Sequence, residues 1–145
     1  MTVLDAYAVI AYLRGEPAAH EVRVVVDGGS ASLTAVGVAE VVDHHVRLAG
    51  ADEEDATLDL AQLGLIEGIS VDSELAVGAG RLRARYYHRT RCAVSMADCI
   101  AAEAARLTGQ ALATSDPHLL DLCHREGIST IVLTASNGTC WSPPT

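Results

Sequence analysis

Residues 112–122 read LATSDPHLLDL. A short run of small and apolar residues stops at Asp116, and a leucine-rich run begins directly after Pro117. The pattern is that of a strand, a tight junction and a helix, because Asp is a favoured helix N-cap and Pro a favoured first helical residue. Working outward from this junction, β-branched apolar runs alternate with longer amphipathic segments along the whole chain, which points to a parallel α/β architecture. The pattern predicts strands at 2–5, 31–34, 65–71, 111–114 and 130–133. Helices are predicted at 6–14, 18–26, 35–49, 53–63, 73–89, 96–108 and 117–126, with Gly109 and Gly127 ending the last two. Residues 1–134 then form one domain, and 135–145 (ASNGTCWSPPT) an irregular tail whose single tryptophan, Trp141, packs onto the body.

The bulk numbers agree with one compact domain. The chain has 145 residues, half of them apolar, enough for one full core and too few for two of ordinary size. No apolar stretch approaches the ~20 residues needed to cross a bilayer. The start, MTVLDAYAVIAYLRGE, has no basic leader and is interrupted by Asp5, so it does not read as a signal peptide, and the cytoplasm is the expected compartment. Cys92, Cys99, Cys123 and Cys140 include no CxxC pair and read as reduced, mostly buried thiols. The six histidines fit no zinc spacing, since the adjacent His44 and His45 cannot share one helix face as in HExxH.

Charge is more selective. All ten basic residues are arginine, and the net charge is −9. Such a chain repels nucleic acid as a whole, so a nucleic-acid substrate requires a local basic patch, a bridging cation, or both. The absence of lysine removes a P-loop NTPase and a phosphoacceptor receiver domain, both of which need one. VGAGRLR (77–83) hints at GxGxxG, but the third glycine is Arg83 and the segment reads as helix.

Four acids fall at one edge of the inferred sheet: Asp5 after the first strand, Glu40 in the helix after the second, Asp98 in the first turn of SMADCIAAEAARL, and Asp116 after LATS. Sites in parallel α/β sheets form beyond the carboxyl ends of the strands, and oxygen-only donors gathered there suit Mg²⁺ or Mn²⁺. Each acid also has a plain structural reading. Asp5 and Asp116 can cap the helices they precede. Asp98 can form a capping box with Ser95, and Glu40 can be a solvated residue paired with His44 one turn on. Asp98 is the least comfortable in that role, because its alanine-rich helix is expected to be buried and a buried carboxylate needs a partner. Asp52, Glu53, Glu54, Asp55 and Asp59 read as a solvated helix start.

Taken in order, VLDAYAVIAYL, TAVGVAEVV, SMADCIAAEAARL and LATSDPHLLDL resemble the PIN domain, most closely the VapC-type toxins of bacterial toxin–antitoxin pairs, over residues 2–133. The resemblance implies a three-layer α/β/α fold around a central, mainly parallel sheet of four to five strands. It further implies a metal-dependent endoribonuclease, a homodimer, and a small antitoxin lying across the site. Carried onto this sequence, it makes Asp5, Glu40, Asp98 and Asp116 the catalytic acids. Asp5, Asp98 and Asp116 would hold Mg²⁺ or Mn²⁺, Glu40 would act through water, and Thr114 would be a hydroxyl beside them. The metal chemistry it implies is activation of water for in-line attack on a phosphodiester and stabilisation of the leaving oxygen.

Half of the arginines lie in RLRARYYHRTR (81–91). On a helix reaching residue 89, Arg81, Arg85 and Arg89 recur at i, i+4, i+8, opposite Leu75, Ala79, Leu82 and Tyr86. That stripe can hold a phosphate backbone, with Tyr87 stacking on a base, or it is simply a solvated face. Two other functional readings stay open: a PIN-like binding module without catalysis, and a nuclease acting on DNA or structured nucleic acid. The apolar face of the first helix, Val9, Ile10, Tyr12 and Leu13, must be covered either by the protein's own core or by a second copy.

Overall fold

The computed structural model describes residues 1–145. Four parallel strands, β1 (Thr2–Leu4), β2 (Ala31–Ser32), β3 (Ala111–Thr114) and β4 (Thr130–Val132), form one sheet in the order β2-β1-β3-β4. Thr2 pairs with both Ala31 and Ala111, and Leu112 with Thr130. Seven helices flank it: α1 (Ala6–Leu13), α2 (Ala19–Asp27), α3 (Ala35–Arg47), α4 (Glu53–Gln62), α5 (Ser73–Tyr86), α6 (Met96–Thr108) and α7 (Pro117–Glu126).

The period-two geometry of the strands divides the core between two faces. Val3 and Leu112 point into a cluster with Leu82, Val94, Cys99, Ala102 and Leu119, drawn from the α5, α6 and α7 side. Their neighbours Leu4 and Ala113 point the other way, onto Val9, Val22, Leu33, Val41 and Leu60 from the α1 to α4 side. This is the expected α/β/α sandwich. Tyr12 and Leu13 pack against the second cluster, in which Val9 and Ile10 are themselves buried, so the protein's own core covers the apolar face of α1.

Two predicted elements differ. The segment 65–71 is not a strand; only Ile69 pairs, donating to Leu33 O and accepting from Ala35 N–H, each at 2.8 Å. Gly64, with φ of +73°, turns the chain just before, and Asp72 caps α5 just after, which leaves too short a run for a ladder. Gly68 is held so close to the start of α3 that a Cβ there would sit 2.8 Å from Ala35 N. The second difference is that α5 ends at Tyr86, three residues earlier than the pattern predicts. His88 and Cys92 exchange backbone hydrogen bonds at 2.9 and 3.0 Å, and His88 Nδ1 accepts from the N–H groups of Thr90 and Arg91. The chain turns before a further helical turn can form.

The tail folds back onto α7. Trp141 Nε1 donates to Asp121 at 2.8 Å, and its ring meets His124 edge-on.

Candidate active site

The sheet order reverses direction between β1 and β3: the chain leaves β1 toward β2 on one side, and β3 lies on the other. The crevice beyond the carboxyl ends of two such strands is where open α/β sheets bind ligands. Asp5 follows β1 directly and Asp116 lies two residues beyond β3, so the topology sets these two carboxylates on either side of that crevice.

Local capping chemistry then fixes how they sit. Asp5 is the N-cap of α1, with Oδ1 accepting from Ala8 N–H at 2.7 Å. Its other oxygen accepts from the Thr114 hydroxyl, and that hydroxyl accepts from Asp116 N–H at 3.1 Å. Thr114, fully buried, therefore ties the ends of the two central strands together. Asp116 caps α7, with Oδ1 accepting from the N–H groups of His118 and Leu119 at 2.8 and 3.3 Å. Asp98 and Ser95 form the capping box of α6, each side chain accepting from the other's backbone N–H. The capping readings of Asp5, Asp98 and Asp116 are all correct, and capping brings the N-termini of three helices to one edge.

Glu40 behaves differently. It makes no hydrogen bond to His44, whose ring instead meets Tyr7 edge-on at 6.2 Å between centroids. The nearby ion pair on α3 is Asp43 with Arg47. Glu40 lines a narrow cleft together with Asp5, Asp98 and Thr34, and no cationic side chain reaches into that cleft.

The electrostatics follow from this packing. Burial pushes the Asp5 carboxyl from 3.8 up to about 7; the Thr114 and Ala8 hydrogen bonds oppose the rise, and the charges of Asp98 and Asp116 add to it. Burial, and then the charge of Asp98, raises Glu40 above the usual carboxylate range. Burial likewise raises Asp98, against its capping hydrogen bonds and with help from Asp116. Carboxylates that raise one another in this way share one space.

A cation would neutralise such a set, and the donor chemistry is compatible with one. All are oxygens, and Asp98 Oδ1, Asp116 Oδ2 and both Glu40 oxygens accept no hydrogen bond from the protein. As positioned, no three acidic, histidine or cysteine side chains close into a direct cage. A hard divalent ion that keeps several waters would need only one or two of these carboxylates.

The predicted arginine stripe does not lie here. Arg81 and Arg85 line a cavity with Glu103, Arg106 and Glu126, residues from the C-terminal halves of α6 and α7, away from Asp98 and Asp116 at the other ends of those helices. Arg85 is bound to Glu126 at 2.7 Å. Arg89 is off the helix, in the turn closed by His88 and Cys92, and that turn reaches α7 through Arg91 O, 3.2 Å from His118 Nδ1. Tyr87 carries the Arg83 guanidinium over its ring at 4.1 Å. The stripe fails because it assumed one more helical turn than His88 allows.

Tyr7, Ala11 and Arg14 carry no sequence-predicted role, yet with Ile10 they line a cavity of about 460 Å³ that shares Asp5 and Asp116 with the acid edge. Their i, i+3, i+4, i+7 spacing was a usable signal for one helix face. Glu103 is buried at 2 % exposure and ion-paired with Arg106; Gly78 opposite it has no room for a side chain.

The model of the PIN domain family matches residues 2–125. The chain belongs to that family, whose members are generally nucleases. Among solved structures it is similar to FitAcB from Neisseria gonorrhoeae, at 18% identity and a TM-score of 0.66, over 90% of this chain and 96% of that one. It is similar to VapBC2 from Rickettsia felis, solved bound to a DNA fragment from their promoter, at 13% identity and a TM-score of 0.63, with 90% and 96% covered. A toxin–antitoxin complex from Klebsiella pneumoniae matches at 15% identity and a TM-score of 0.60, over 80% and 87%. At these identities the likeness establishes the fold. No curated protein sequence matches the chain. No helix is long and apolar enough to cross a membrane.

Proposed function

We propose that the chain is an Mg²⁺- or Mn²⁺-dependent endoribonuclease and the toxin of a toxin–antitoxin pair. The observation that carries the reading is that Asp5, Glu40 and Asp98 line one cleft, each carboxyl raised by burial, with the charge of Asp116 close enough to raise Asp5 and Asp98 further. Membership in a family of nucleases supports it, as does likeness to a solved toxin–antitoxin complex.

In this reading Asp5, Asp98 and Asp116 hold the ion, with Glu40 through water; the bound ion supplies positive charge for phosphate and lowers the pKa of water. The chain's own groups do the rest. Thr114 fixes the Asp5 carboxylate by donating to it and anchors Asp116 by accepting from its N–H. The N-termini of α1, α6 and α7 add partial positive charge at the same edge, which favours a phosphate there. A chain of net charge −9 thus gains one place where a polyanion is welcome.

The partners in this reading are an antitoxin that covers the acid edge and a second copy of the chain. Both rest on the family likeness, since the apolar face of α1 is already used in the core. The test of activity is incubation of purified protein with single-stranded RNA, with Mg²⁺ or with excess EDTA. Cleavage only with metal, leaving 5′-phosphate and 3′-hydroxyl ends, is expected. Equal cleavage in EDTA overturns the mechanism, and cleavage of DNA with RNA untouched overturns the substrate. Sedimentation at micromolar concentration tests the dimer; a monomer there contradicts it.

A further inference from the structure

The cavity beside the acid edge is not needed to hold a metal ion, yet it is built. Its volume of about 460 Å³ is within the ~300–1,000 Å³ typical of small-ligand sites. Ile10 and Ala11 supply an apolar wall, Asp5 and Asp116 line the cavity, and Asp5 also lines the acid cleft. Tyr7 lines both spaces. It is 64% exposed, unusual for a large aromatic side chain, and His44 meets it edge-on while leaving its phenol ring open to the solvent. One helical face on, Arg14 stands at the cavity with Glu16 4.0 Å away. Ser115 and Ser136 also line the cavity.

The far wall is held in place. Glu21 accepts from Thr134 through both carboxylate oxygens, to the backbone N–H at 3.0 Å and to the hydroxyl. Ala135 N–H donates to Thr139 O at 2.8 Å, fixing the next residue.

We propose that this cavity seats the nucleotide of an RNA substrate that adjoins the scissile phosphate, its base stacked on Tyr7 and its own phosphate at Arg14. The inference rests on the ribonuclease reading and names its substrate subsite. An exposed aromatic ring and an arginine two turns along the same helix face, both lining one cavity, are a combination suited to single strands, where stacking tolerates any base and the cation meets the backbone. The wall carries Asp5, Asp116 and Glu16 against the single Arg14. That balance favours a base plus one phosphate over a run of phosphates. It also favours a single strand over a duplex, whose bases are not free to stack on a side chain.

The test measures binding of a short fluorescein-labelled single-stranded RNA by anisotropy, with Mg²⁺ present and Asp98→Asn as the parent to suppress cleavage. Adding Tyr7→Ala or Arg14→Ala is expected to weaken binding about ten-fold each, while Tyr7→Phe, which keeps the ring, stays within about two-fold. In the otherwise native chain the same alanine variants raise KM and leave kcat near its original value. Alanine variants that bind within about two-fold of the parent overturn the subsite, and so does a parent that binds no RNA. A native chain that binds RNA through Tyr7 and Arg14 but cuts nothing refutes the nuclease reading alone. Both residues are at the surface, and a thermal melt confirms that each variant is folded.

Discussion

Replacing Asp5 by Asn should stabilise the metal-free protein at alkaline pH while removing one of its candidate metal ligands. Burial raises the folded-state pKa of Asp5 from 3.8 to about 7. Between those values the folded chain holds a proton that the unfolded chain has released, so its stability falls as pH rises through that window. Above pH 7 the full cost is present. At ~1.4 kcal/mol for each pH unit it amounts to roughly 4 kcal/mol. Asn is as good an N-cap as Asp and preserves the acceptor for Ala8 N–H, while its amide can donate to the Thr114 hydroxyl. Allowing for the changed hydrogen bond to Thr114, a net gain of about 2–4 kcal/mol at pH 8 is expected, or about 6–12 °C in Tm for a chain of this size. Thermal melts of both proteins in EDTA at pH 5 and pH 8 measure it. Glu40 and Asp98 give similar slopes to both proteins, so the difference between them reports on Asp5. The gain should be about 3 kcal/mol smaller at pH 5 than at pH 8, because only the lower part of the window has been crossed at pH 5. An equal gain at both pH values, or an Asn variant less stable at pH 8, would refute the reasoning.

Three further outcomes follow from the same geometry. Asp98→Asn keeps an oxygen for Ser95 N–H and should fold normally, yet lose RNA cleavage; a fully active variant, measured on the same RNA, would leave Asp98 as a cap and nothing more. Gly78→Ala drives a Cβ to 2.3 Å from the buried Glu103 Oε1 and should cost about 1–3 kcal/mol in a urea titration, as overpacking does. Burial pushes the Cys99 and Cys123 thiols up to about 12 and raises Cys92 as well, whereas Cys140 is exposed. Brief iodoacetamide treatment of the folded chain at pH 8 should therefore modify Cys140 alone, read by peptide mass spectrometry, because a thiol must ionise to react.

Much of the fold was legible because local and tertiary signals agree. Asp116 before Pro117 marks both the end of β3 and the cap of α7, and Gly109 and Gly127 end their helices with φ of 68° and 70°. The segment 65–71 misled because its apolar residues match a strand, while two glycines and the cap at Asp72 leave only Ile69 free to pair. The end of α5 was hidden in a side chain: nothing in RYYHRTR announces that His88 Nδ1 will capture two backbone N–H groups. The acid set was visible by its position after strands and at helix starts. Convergence was not visible, because it depends on β1 and β3 being neighbours although more than a hundred residues apart. Glu103 was missed for a similar reason, since its burial reflects α5 packing at Gly78 rather than any pattern in its own helix.

The central claim is that Asp5, Glu40, Asp98 and Asp116 serve one metal site. Crystals of the chain soaked in Mn²⁺, with data collected at the manganese edge, test it most directly. The account predicts an anomalous peak in the crevice between β1 and β3, bounded by Asp5, Asp98 and Asp116, that disappears in Asp98→Asn. A crevice with no peak, or manganese bound only at the exposed acids Glu53 and Glu54, would contradict it.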